Sequence, residues 1–291
     1  MPAALLYSSD SDGVTAVSGR TSKDYVRTQL ANGSFAPESY AFGKGGIWTG
    51  ETKDASIDKL TFLDVAHVIA VPLASQNYLP STDPNTTKLL IMVYWGTTRV
   101  PDQPNDSPTY AHLQDAMTVI GNRNLNRGRT ASTGTPPGGP EDRPLEDALT
   151  TAIAATEAAN RLRDQTDYLN AKMLGYDSWW ANFEGDKRGT AFQQDKDDLL
   201  EEIEDSRYFV VLMAYDFQFL WKEKKTKLLW ETRFSIRQRH HEFDKALPSM
   251  AQYASQYFGQ DSRGLVRKEI PLGHVEVGQV KSLGEVEAPA K

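Results

Sequence analysis

The side chains best suited to moving protons or holding a metal near neutral pH are the five histidines, His67, His112, His240, His241 and His274. His240 and His241 are adjacent, so on a helix their rings would point about 100° apart and could not both face one ion. The run HHEFD also lacks the H-E-x-x-H spacing that sets two imidazoles one helical turn apart. Arg237 and Arg239 beside them discourage a second positive charge. This segment reads as a turn from strand to helix, with Arg237, His240 and His241 as candidate ligand contacts. His67 falls on an apolar helical face and reads as a core residue.

Nucleophiles are equally sparse. There are no cysteines, which excludes disulfides, thiolate metal sites and a cysteine nucleophile. Ser235 and Ser255 are the serine candidates, but no G-x-S-x-G elbow exists. The 39 acidic residues leave a carboxylate pair open as the route to a hydrolase in which a histidine assists. The acidic run DKDDLLEEIED lacks the glycine and alternating ligands of a calcium loop and reads as a solvated helix face. FGKGG at 42–46 lacks phosphate-loop spacing and reads as a turn before a strand. Trp179 and Trp180 could form a platform for a carbohydrate or peptide, or plug a core. No cofactor is implied, and no metal site.

With 291 residues and 39% hydrophobic content, the chain can bury one large core. A net charge of -7 argues against a nucleic-acid partner, and the basic stretches NRNLNRGR and RQRH lack the interleaved aromatics that would stack on bases. NRNLNRGR reads as a flexible, solvated loop. No run approaches the roughly 18 apolar residues of a membrane span. The start, MPAALLYSSDSDG, has no basic region and no full hydrophobic segment. A removed signal peptide and a periplasmic or secreted location are the expectation, with the cytoplasm as alternative.

These groups must be positioned by an α+β fold, a mainly antiparallel mixed sheet packed by two helices. Residues 1–22 read as a flexible arm, and 23–291 as one domain with a largely helical insertion at about 100–206. The aromatics and glycines of 23–50 suggest short strands. Ser56 is the expected N-cap of a largely buried helix reaching Tyr78, bent by Pro72. LLIMVYW at 89–95 is a central strand. Inside the insertion, 111–120 looks helical and 130–140 loop-like, while LEDALTTAIAATEAANRLRDQTDYLNAKMLGY reads as one long helix ended by Gly175. Strands at 208–221 and 227–238 form a hairpin around KEKKT. Alternation in the second predicts one wet face, carrying Glu231, Arg233, Ser235 and Arg237. A helix then runs from near His241 to Gly259.

One arrangement resembles a known family. A helix closing in Asn77 and Tyr78 leads through Asp83 and Pro84 to a strand opening at Leu89 and Leu90. Later, Asp216 ends a strand, and Lys225, Thr226, Lys227, Leu228 and Trp230 open the next. Over about 57–96 and 208–258 this resembles bacterial envelope lipoprotein domains of unknown function, although the lipidated cysteine is missing here. The resemblance implies a periplasmic α+β domain and brings no catalytic residues. The reading is a non-enzymatic envelope or secreted protein that binds another protein or a cell-wall component. A hydrolase working in a cleft between sheet and insertion, and a cytosolic scaffold, are the alternatives. The sequence leaves the oligomeric state open.

Overall fold

The computed structural model describes residues 14–48, 54–101, 107–129, 143–177, 180 and 190–269. Seven strands form one mixed sheet: β1 Val14–Thr21, β2 Glu38–Trp48, β3 Tyr78–Pro80, β4 Leu89–Thr97, β5 Arg207–Asp216, β6 Leu228–Arg237 and β7 Leu265–Glu269. The order is β3-β2-β4-β5-β6-β1-β7. β2 runs parallel to β3 and β4, and every other neighbouring pair is antiparallel. The described helices are α1 Ala55–Asp58, α2 Phe62–Ser75, α3 Pro108–Arg129, α4 Arg143–Leu174, α5 Thr190–Glu204, α6 Phe217–Glu223 and α7 Phe243–Ala254.

The chain divides into two compact units, one of residues 1–99 and 170–291 and one of residues 100–169. The first holds the whole sheet. An insertion was expected to run to 206, but the chain rejoins the sheet unit at Asn170, and α5 belongs to that unit. The second unit contains α3 and the first 27 residues of α4. NRNLNRGR, expected as a loop, continues α3 to Arg129. The loop-like stretch 130–140 lies outside the described residues.

On one face of the sheet Val17, Ile91, Val93, Trp95, Val210, Leu212, Trp230, Phe234 and Ile236 pack against α2 and α7. These are the alternating inward positions of four strands, and the two helices close them from water. α2 starts later than expected. Thr61 and Asp64 form a capping box, while Asp54, not Ser56, caps the separate α1. α2 then runs through Pro72 to Ser75, and Asn77 turns the chain into β3 at φ 60°.

The opposite face corrects the expectation of a wet β6. Ala16, Phe209 and Val211 pack there with Ala171, Leu174 and Tyr176 at the end of α4 and with Leu199 and Ile203 of α5. The polar row is covered with them: Ser235 is fully buried, and Arg207, 2% exposed, donates to its hydroxyl at 3.2 Å. Glu202 of α5 accepts a forked pair from Arg267 of β7 at 2.7 and 3.0 Å. Arg20 of β1 binds both carboxylate oxygens of Asp177 at 2.5 Å. Alternation sorts polar from apolar, but polar residues that find partners can be buried too.

Two boundaries moved for local reasons. Val14–Thr21, expected in a loose arm, is β1, and its first six residues are buried between β6 and β7. β5 stops at Asp216 because that side chain accepts a bond from the Phe219 amide, which starts α6 and replaces the expected simple hairpin. α4 ends as expected at Gly175, whose φ of 85° suits glycine, and a Cβ there would come within 2.6 Å of Ser18.

Candidate functional site

The turn from β6 to α7 carries the residues singled out for ligand contact. The structure divides them. Arg237 is already engaged, with Asp205 at 2.9 Å and Glu201 at 3.7 Å, so it ties β6 to α5. His240 is exposed, with φ 63°. His241 is half-buried: its Nδ1 lies 2.9 Å from the Arg239 carbonyl oxygen, which makes that nitrogen an N–H donor, and its Nε2 is buried without a hydrogen-bond partner among the described residues. Trp180 is half-buried against the second apolar cluster. Trp179 and His274 lie outside the described residues.

Beneath this turn sits a constellation that reasoning from sequence missed. Asp54 Oδ1 accepts from the Ser56 amide at 2.8 Å and hydroxyl at 2.6 Å. Its Oδ2 accepts from the Tyr208 hydroxyl at 2.5 Å and from Gln238 Nε2 at 2.6 Å. Gln238 Oε1 accepts in turn from the Ser206 hydroxyl. Ser56 Oγ accepts from the Phe243 amide at 2.9 Å, which anchors the start of α7. The His241 carbonyl oxygen lies 3.3 Å from the Tyr208 hydroxyl. α1, β5 and the turn after β6 thus meet on one carboxylate, and Ser56 ties α7 to it.

The residue types could suggest acid–base chemistry, but the electrostatics point to a joint. Burial pushes the Asp54 carboxyl up, yet the bonds from Ser56, Tyr208 and Gln238 outweigh it and hold the group below the usual carboxylate range. Four donors on an already stable anion leave it little basicity. Burial, and then the hydrogen bond to Asp54, push the Tyr208 phenol up to about 12. Ser56 gives its proton to Asp54 and spends a lone pair on Phe243, and no hydrogen bond joins it to the His241 ring. Among the described residues no group of three or more His, Asp or Glu side chains is placed to hold a metal.

A second place is open where this one is closed. β3 covers only Glu38–Tyr40 at the outer edge of the eleven-residue β2. The last bond there runs from the Ser81 amide to the Tyr40 carbonyl at 2.8 Å. Beyond it, among the described residues, Ala41–Trp48 pairs with β4 alone. Glu38 and Tyr40 aim their backbone groups at β3, while Ser39 accepts from Lys88 on the β4 side. Continuing this phase, Phe42 and Lys44 present N–H and C=O outward. A bulge follows between Lys44 and Gly46, where φ is 140°.

The edge ends in Ile47 and Trp48, 44% and 53% exposed. Trp48 is held in place because its backbone crosses Gly96 of β4, where any Cβ would overlap the Trp48 carbonyl. Near the start of β2, Tyr25 donates to Glu38 at 2.6 Å. The Arg27 guanidinium lies between the rings of Phe35 and Tyr78, at 4.3 and 4.0 Å, and donates to the Gln76 carbonyl at 2.6 Å. The edge is therefore mounted on ordered neighbours at both ends. β3, a strand of three residues ending at Pro80, is too short to cover a strand of eleven.

No family model matches the sequence, and no curated protein does. Among solved structures, a PDZ domain protein from Parabacteroides distasonis aligns with 87% of this chain at 10% identity and a TM-score of 0.36. The aligned part spans 38% of that chain.

Proposed function

We propose that this chain is a non-enzymatic binding protein of the bacterial envelope, or a secreted one, that takes an extended polypeptide segment along the open edge of β2. The observation that carries the reading is the pair of outward backbone positions, Phe42 and Lys44, beside the exposed Ile47 and Trp48. Unpaired strand groups call for an occupant with amides at strand spacing, and exposed apolar side chains supply the specificity of strand addition. A polypeptide fits that demand better than a cell-wall glycan does. The hydrolase reading loses support because the hydroxyl–carboxylate cluster is spent on joining four segments. An exported location and the kinship with envelope lipoprotein domains belong to the same proposal. Fractionation of the native cells tests the location.

The binding test is selection of extended peptides on the full chain from a displayed library, followed by calorimetry of the selected peptide. Lys44→Pro removes one outward N–H, and Trp48→Ala removes the exposed ring. Each is expected to weaken binding at least about tenfold, or roughly 1.4 kcal/mol, with far-UV circular dichroism unchanged. Undiminished affinity in both variants sinks the edge as the site. Turnover of a hydrolase substrate that disappears in Asp54→Asn would replace the whole reading.

A further inference from the structure

In the unit of residues 100–169, α4 displays exposed apolar side chains among the described residues. Among its described residues no apolar side chain of leucine size is buried. The half-buried positions of α4 in this unit are Leu145, Leu149, Ala152, Ala159, Arg163 and Thr166, with Thr156 and Asp167 deeper, and from Leu145 to Thr166 they follow an alternation of four- and three-residue steps that forms one seam. α3 has its own half-buried stripe of Tyr110, Leu113, Ala116 and Ile120, and the Tyr110 hydroxyl donates to Asn160 of α4. About a quarter turn round from the α4 seam runs a second strip, Ala148, Thr151, Ala155, Ala158, Leu162 and Leu169, all exposed. Leu162 is 65% and Leu169 42% exposed.

We infer that this strip is the contact surface for a second copy of the chain, with the two α4 helices antiparallel about a twofold axis near Ala158. The order of residues along the strip argues for that occupant. Small residues, three alanines and Thr151, fill its N-terminal half and leucines its C-terminal half, so an antiparallel copy sets Leu162 against the partner's Ala155 and Leu169 against the partner's Ala148. Each large side chain meets a small one twice, as a self-complementary twofold interface requires. Charge agrees with the register. Exposed Asp147 and Lys172 flank the strip on the same side, so each comes within two residues of level with the opposite charge on the partner, and no charged residue lies on the strip itself. One helix–helix seam of this length covers roughly 1,000 Å², the low end for a specific interface, which predicts a dimer that dissociates in the micromolar range.

Sedimentation velocity on the full chain, across about 1 to 100 μM, is expected to show conversion to twice the 32.4 kDa chain mass. Leu162→Glu with Leu169→Glu is expected to remain monomeric, with far-UV dichroism unchanged. Because the chain has no native cysteine, register can be read independently of those charges. Ala158→Cys, at the axis, is expected to form a disulfide-linked dimer on mild oxidation, while the exposed Ile153→Cys on the opposite flank stays unlinked. A wild-type monomer throughout, a double variant that dimerises as well as wild type, or equal linking at 153 and 158 would overturn the inference.

Discussion

The clamp under α7 and the edge of β2 lie in the same unit and differ in one respect that decides what each can do. The clamp has the residues associated with catalysis, an acid, a serine, a tyrosine and a nearby histidine. Asp54 is saturated, and Ser56 and Tyr208 spend their protons on it. The edge has ordinary residues, Phe42, Lys44, Ile47 and Trp48, yet among the described residues its outer backbone groups have no strand beside them. A hydrogen-bonding group already satisfied adds stability, and one left open can add a partner.

The contrast is most easily broken by removing the centre of the clamp. Asp54→Ala leaves the Tyr208 and Gln238 donors and the Ser56 hydroxyl without their acceptor, and a buried polar group so stranded costs about 1–3 kcal/mol. A loss of roughly 3 kcal/mol in urea unfolding is expected, whereas a change within about 0.5 kcal/mol would mean the cluster holds nothing together. Glu202→Gln comes next, because it takes the negative charge out of the forked bond to the half-buried Arg267. A loss of roughly 2 kcal/mol at neutral pH is expected.

Acid extends the same test. Burial raises Glu202, but the forked bond and the charge of Arg267 outweigh it, so the folded group titrates below its ordinary value of 4.5. Asp54 is likewise held below 3.8. A carboxylate with a depressed folded pKa stabilises above its unfolded value and loses that contribution as pH falls through the folded one. Stability of the wild type should therefore fall as pH drops below about 4.5, and Glu202→Gln should flatten the upper part of that fall. Equal slopes for the two proteins would remove Glu202 from the account.

Smaller effects sharpen the contrast. Thr61→Ala breaks the capping box of α2 and should cost about 1 kcal/mol in the same unfolding assay. Trp48→Ala should change stability by no more than about 0.5 kcal/mol, because the residue is more than half exposed. If that variant lost several kcal/mol, Trp48 would be a structural residue and the edge would lose its main recognition element.

How far the sequence could be read depended on how local each cause was. β4 announced itself as an unbroken apolar run, and α4 by its period and its closing Gly175. The fold class followed from those elements and the strands near 208 and 228. β1 was hidden, because VTAVSGRT is rich in small and hydroxylated residues and becomes a strand only through β6 and β7, more than 200 residues away. The covered polar face of β6 was hidden too, since Arg207, Glu202 and Arg267 find their partners only in three dimensions. Arg237, His240 and His241 were placed correctly at a strand-to-helix turn. The joint beneath them was not legible, because Asp54 stands 154 residues from Tyr208 and 184 from Gln238. Nor was the edge, whose glycines read as turns and whose openness is a property of the neighbouring strand's length.

The most direct test of the account is amide hydrogen exchange on the full chain, alone and saturated with its selected peptide. The account predicts that the Phe42 and Lys44 amides exchange fast in the free chain and become protected in the complex, while Ser56, Tyr208 and Phe243 are protected in both. Protection that appears on binding at Ser56 and Phe243, with Phe42 and Lys44 unchanged, would contradict it and move the site to the clamp.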